Sequence, residues 1–224
     1  MSMKQVIKIA RGDIGETEWP AGSNRTVFGE RFGMNGQPWC VIWLWDVFQR
    51  AGERMAFFGG GKTASCTILL RWYREQGLTV PVEDVQTGDI VILNFHGKKE
   101  PEHCGLVVEP HWHQDASLDY AYTIEGNTSE GNGIQSNGGC VALKRRYPHQ
   151  IVAVCRPQYK PEEPEIADDW SGHHAADAIR WGKEIGLVKG YTDGTMRPDE
   201  PVPLWRMLTI LKRYDDYRFG GSGK

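Results

Sequence analysis

Cys40, His103 and Glu125, with Asn127 two residues further on, are side chains whose types and order suit acyl-transfer chemistry. A thiolate attacks a carbonyl carbon. It needs a base, a group that orients the base, and donors for the oxyanion. Cys40 stands in Gln37-Pro38-Trp39-Cys40, directly after the turn Met34-Asn35-Gly36. Beyond it, Val41, Leu44, Trp45 and Phe48 recur at i, i+3, i+4 and i+7, the spacing of an amphipathic helix that Gly52 stops. The thiol therefore lies in a first helical turn, where unpaired N–H groups and the helix dipole favour the thiolate. The N–H of Cys40 is placed to serve an oxyanion. His103 opens the extended segment His103-Cys104-Gly105-Leu106-Val107-Val108 and is the candidate base. Glu125 or Asn127, two apart on a strand end and so on one side of it, can fix the tautomer through the second ring nitrogen. Taken singly, each residue also reads as structural: a buried thiol, a packed histidine, a turn. The three in this order point to a cysteine hydrolase whose activity falls as His103 protonates at low pH.

The elements that position these residues change character along the chain. Residues 3–15 read as a helix with Val6, Ile7, Ala10 and Ile14 on one face, and residues 17–38 as loop. The helix that begins at Cys40 follows, then another over 64–76 with Ile68, Leu69 and Trp72 apolar. From Asp89 onward the segments are short and rich in β-branched and aromatic residues: 89–95, 103–109, 120–125, 140–145 and 151–156. Helices first and strands afterwards predict an α+β domain with an antiparallel sheet. Lys160-Pro161-Glu162-Glu163-Pro164-Glu165 then reads as an extended linker. Beyond it, helices over 175–185 and 203–214 flank a string of turns, and residues 217–224 read as a flexible tail. The expected domains are 1–157, a linker 158–171, a module 172–216 and the tail.

Composition narrows the function. The 224 residues carry a formal net charge of -3, which disfavours a general attraction to nucleic acid. Arg71-Trp72-Tyr73-Arg74 and Lys144-Arg145-Arg146 read as solvated basic faces. No stretch reaches the roughly 18 apolar residues of a membrane span, so no membrane insertion is expected. The start lacks the pattern of a signal peptide, which implies synthesis in the cytoplasm and release by another route. The five cysteines, Cys40, Cys66, Cys104, Cys140 and Cys155, form no CxxC pair and are odd in number. That argues against a disulfide framework and a zinc ribbon. Cys104 reads as a core thiol, and Cys66, Cys140 and Cys155 as packing residues. His111, His113, His173 and His174 lack partners at metal-ligand spacing, so no metal or other cofactor is expected.

Gly33 to Cys40, then Thr87-Gly88-Asp89-Ile90-Val91, His103-Cys104-Gly105-Leu106-Val107 and Glu125-Gly126-Asn127 together resemble the CHAP family over roughly residues 1–157. These are cysteine, histidine-dependent amidohydrolases/peptidases with a papain-like fold. The resemblance implies Cys40 as nucleophile, His103 as base, Glu125 as its orienting partner and Asn127 as a supporting polar group. It implies cleavage of bacterial peptidoglycan, either at the amide between sugar and stem peptide or at a peptide bond. Some relatives bind calcium in an Asp-rich loop before the cysteine. Here that loop, 21–26, has no paired Asp, and no calcium is expected.

Trp181 to Val202 is similar to an S-layer homology repeat, most clearly at Arg197-Pro198-Asp199. That resemblance implies retention on a secondary wall polymer. The sequence departs from the family where Pro203-Leu204-Trp205-Arg206 replaces the usual Thr-Arg-Ala-Glu stretch. Trp205 reads as a core residue. One short repeat has a small core, so it is expected to pack on the first domain or to self-associate. The combined expectation is an endolysin-like, phage-type peptidoglycan hydrolase with a wall-targeting module. The alternatives are a catalytically silent wall-binding protein and an intracellular cysteine hydrolase of a small amide.

Overall fold

A change of hydrophobic period, from helical to alternating, divides the first part of the chain into a helical half and a sheet half. The structure, a computed structural model, describes residues 3–97, 100–112, 119–131, 138–160, 169–192 and 194–219. The chain forms two compact units, Met1–Glu163 and Pro164–Lys224. The first is α+β. Its helices are α1 (Met3–Gly12), α2 (Val27–Phe32), α3 (Cys40–Arg50), α4 (Arg54–Phe58) and α5 (Cys66–Glu75). Its strands are β1 (Thr79–Val80), β2 (Ile90–Leu93), β3 (His103–His111), β4 (Tyr120–Thr128), β5 (Cys140–Arg146) and β6 (Ile151–Cys155). They form one six-stranded antiparallel sheet in the order β1-β6-β2-β3-β4-β5.

α3 is the hub. Cys40, Val41, Ile42, Trp43, Leu44, Val47 and Phe48 are all buried, so this helix is apolar nearly all round rather than along one stripe. It packs on α1 and α2 and on β3 and β4 of the sheet. Its polar groups carried inward are paired. Asp46 accepts from Arg50 Nε at 2.7 Å and from Arg31 at 3.1 Å, while Trp43 Nε1 donates to Asp13 at 2.9 Å. β2 is buried at all four positions because both of its faces are covered. Ile90 and Ile92 join the core with the helices, and Val91 and Leu93 join a second cluster with Val107, Ala121 and Val154.

Several expectations are corrected. The segment 17–38 contains α2, whose N-cap Thr26 Oγ1 accepts from Gly29 N at 3.0 Å and whose end at Gly33 is left-handed, φ 76°. Six residues are too few to show a helical period. Ile14 and Ile68 are exposed, not core. Lys144 and Arg146 are buried while Leu143 is exposed and Arg145 half-buried, so β5 carries Lys144 and Arg146 inward. The first unit also runs past 157. Tyr159 stacks on Phe48 with ring centroids 5.8 Å apart and donates from its hydroxyl to Gly88 O at 2.5 Å.

The second unit holds α6 (Ala176–Glu184) and α7 (Leu204–Phe219). Gly182 is the one buried residue of α6, and α7 buries none. Trp205 is 64% exposed, contrary to its reading as core, and Trp181 is also exposed. Helix α7 continues through 217–219, where a tail was expected; residues 220–224 lie outside the described residues, as do 161–168 of the linker. Asp169 belongs to this unit rather than to the linker. Its carboxylate accepts from Met196 N at 2.8 Å and Arg197 N at 2.7 Å, closing the turn string. Gly190, at φ 74°, is a second constraint, because a Cβ there would meet Thr195 O at 2.8 Å.

Candidate active site

α3 starts at Cys40 with no side-chain cap, so its first-turn N–H groups are left for other acceptors. β3 begins at His103, packs against α3, and pairs with β2 on one side and β4 on the other. The fold thus brings Cys40, His103 and Glu125 into one buried cluster. Cys40 keeps 5% exposure, whereas His103 and Glu125 have none.

His103 Nε2 lies 3.0 Å from Glu125 Oε2. Its Nδ1 is buried with no hydrogen-bond partner among the described residues. Glu125 is held from three directions. Arg146 donates from Nε at 2.7 Å and from Nη2 at 2.6 Å, and Thr123 Oγ1 donates at 2.7 Å. This two-pronged guanidinium clamp keeps the carboxylate in one orientation. The Arg146 guanidinium also lies 4.7 Å from the Phe95 ring centroid, and Phe95 packs against His103 at 6.0 Å.

Glycines make room for this arrangement. A Cβ on Gly105 would meet Glu125 Cγ at 2.7 Å, and one on Gly126 would meet Trp43 Cβ at 2.6 Å and the Trp39 ring at 3.0 Å. The Gly in His103-Cys104-Gly105 therefore admits Glu125, and the Gly in Glu125-Gly126-Asn127 lets β4 lie against α3. Asn127 is buried at φ 57°, inside a register shift between Glu125 and Thr128. That bulge breaks the simple alternation expected to put Asn127 beside Glu125. It is Glu125 whose bond to His103 is defined.

The electrostatics favour an ion pair. Burial opposes charge on His103, but the Cys40 sulfur and then Glu125 outweigh it and raise the imidazole to about 9. Burial likewise opposes charge on Glu125, yet Arg146 and His103 hold it at about 2. Hydrogen bonds from Cys104 and Cys66 push the Cys40 thiol well below its usual value against opposing burial, with His103 adding to the effect. Cys66 Sγ lies 3.8 Å from Cys40 Sγ. With His103 raised and Cys40 lowered, the set at neutral pH is a thiolate–imidazolium pair, so a proton arriving at low pH goes to the Cys40 sulfur rather than to a neutral His103.

Sequence reading missed Arg146, Thr123, Cys66 and Cys104 as neighbours of the site. For Arg146 the sequence offered only the alternation that puts Lys144 and Arg146 on one strand face and Leu143 and Arg145 on the other, which does not say which face is buried. Cys104 adjoins His103 in the sequence, but strand alternation turns it to the opposite face and so reads it as a core thiol; Cys66, on a separate helix, carried no signal.

The second unit has its own groove of about 460 Å³, lined by Leu187, Tyr191, Arg197, Trp205, Arg206 and Arg213 among others. Arg197 and Arg206 cover the Tyr191 ring at 4.1 and 4.4 Å. Among the described residues no helix is long and apolar enough to cross a membrane. Residues 168–202 match the family of the S-layer homology domain, which supports such a module here and its association with the cell wall or surface. No curated protein and no solved structure matches the chain.

Proposed function

We propose that the first unit is a cysteine hydrolase that cleaves an amide bond of bacterial peptidoglycan and that the second unit holds it at the wall. The observation that carries this reading is the buried Cys40–His103–Glu125 set, with Arg146 locking the carboxylate. The Cys40 thiolate attacks the amide carbonyl carbon, and the oxyanion forms near the uncapped N–H groups at the start of α3. As the C–N bond breaks, the His103 imidazolium gives its Nδ1 proton to the departing amine, leaving a thioester on Cys40. Neutral His103 then takes a proton from water, which attacks the thioester. Collapse releases the acid and restores the thiolate. Glu125 stays ionised throughout, orienting the ring through Nε2 and stabilising its charge.

The wall half of the proposal rests on the S-layer homology match and the cationic lining of the groove, where Arg197, Arg206 and Arg213 suit an anionic wall polymer. A phage-type lytic role, with release to the wall after cytoplasmic synthesis, fits this pairing of a hydrolase with a wall module.

The test is turbidity loss of purified Gram-positive walls with wild type beside Cys40→Ala, with mass spectrometry of the released fragments. Lysis by wild type alone is expected, and the new fragment ends name the bond as sugar–peptide amide or peptide. Equal turbidity loss by both proteins, or none by either on walls of several chemotypes, would sink the hydrolase reading.

A further inference from the structure

Three of the five cysteines converge although nothing in their spacing announces it. Cys40 opens α3, Cys66 opens α5 and Cys104 is the second residue of β3. All three are buried, and their sulfur atoms lie within 4.8 Å of one another. The Cys40–Cys66 separation is 3.8 Å. A tetrahedral ion with metal–sulfur bonds of about 2.3 Å has ligand-to-ligand edges of about 3.8 Å. The Cys40–Cys66 edge therefore has the length that one such ion needs, and the other two edges exceed it by no more than about 1 Å. The ring of His103 neighbours Cys40 but does not come within the same 4.8 Å of all three sulfurs, so the described residues offer a site of three sulfur ligands.

We infer that Cys40, Cys66 and Cys104 form a three-sulfur site for a soft, thiophilic d¹⁰ cation such as Zn²⁺, with water or another small ligand completing the coordination. Three thiolates are a donor set that selects zinc or cuprous ion over calcium or magnesium. Binding displaces the thiol protons of Cys66 and Cys104, so affinity rises with pH. A bound ion occupies the sulfur that the proposed hydrolysis uses. Metal loading and turnover then exclude each other, and this consequence alone rests on the hydrolase reading.

Cobalt is the informative probe, because thiolate ligation gives it an intense sulfur-to-metal charge-transfer band and tetrahedral visible bands. The full-length chain, kept reduced with a phosphine, is titrated with Co²⁺ and then back-titrated with Zn²⁺. One equivalent of Co²⁺ is expected to raise both sets of bands, and Zn²⁺ to abolish them. Cys66→Ser and Cys104→Ser should lose the charge-transfer band, while Cys140→Ser keeps it. A spectrum without sulfur ligation, or one unchanged in both cluster variants, overturns the site. Wild type supplies a check that needs no variant to fold: Zn²⁺ should protect Cys66 from alkylation, as read by peptide mass spectrometry, and unaltered labelling counts against the site. In the wall assay, stoichiometric Zn²⁺ should stop lysis and a chelator restore it. If wild type never lyses walls, only the hydrolase reading falls, and the cobalt spectrum still decides the metal site.

Discussion

The two units differ in where their polar chemistry lies. In the first, His103, Glu125 and Arg146 are wholly buried and hold one another through bonds of 2.6 to 3.0 Å. In the second, the aromatic and cationic groups, Tyr191, Trp205, Arg197 and Arg206, line an open groove on a unit whose long helix buries no residue. A buried charge must be paired, so the first site is stiff and sensitive to each member. A surface groove holds its groups through local turns, and its members can be changed at small cost in stability.

The largest effect that would separate the units is at Cys40. Cys40→Ala should reduce wall lysis to background while full-length protein still sediments with walls. Loss of sedimentation as well would mean that binding, not only cleavage, depends on the first unit. Next comes Arg146→Met, which leaves the Glu125 carboxylate buried without its clamp. Breaking a buried pair in this way costs about 3–5 kcal/mol. Denaturant unfolding should show that loss in the first unit, and an unchanged midpoint would show that the clamp is not what holds Glu125.

The pH dependence should also divide the units. Glu125, depressed to about 2, contributes stability that is present above the ordinary carboxylate value of about 4.3 and is lost as pH falls through about 2. His103, raised to about 9, contributes stability that is full below about 6.5 and is lost as pH rises through about 9. Thermal melts of the first unit should therefore be highest between these ranges. The rate of lysis should fall above about 9 as the imidazolium loses the proton it gives to the amine. A profile flat through that range would refute the ion-pair description. A smaller effect is expected at Gly105→Ala, where the added methyl meets Glu125 and overpacking costs about 1–3 kcal/mol. Smallest in stability is Trp205→Ala, within about 0.5 kcal/mol because the ring is exposed. Its effect should appear in wall sedimentation, and unimpaired binding would remove Trp205 from the groove's function.

What was legible in the sequence follows the range of the interactions. The helices of residues 3–12, 40–50 and 66–75 and the five longer strands announce themselves because apolar periodicity repeats within each element. The short helices α2 and α4 do not, since five or six residues span less than two turns. The S-layer homology repeat is a local string of turns with Gly190 and Arg197-Pro198-Asp199 at set places, and for that reason a family match finds it. Cys40 and His103 could be singled out because each has a local setting that suits its chemistry, a helix start and a strand start.

Tertiary structure alone decided the rest. The sequence by itself determined which residues were chemically able: a cysteine at a helix start, a histidine, a carboxylate and a wall-type repeat. Only the fold could turn Arg146 inward from a run of basic residues, give Glu125 rather than Asn127 to His103, and gather Cys66 and Cys104 around the nucleophile. Those contacts join residues 21 to 64 positions apart, and no local pattern encodes them. They arise because the helices must cover the sheet, and burial then forces every charge and thiol that is carried inside to find a partner.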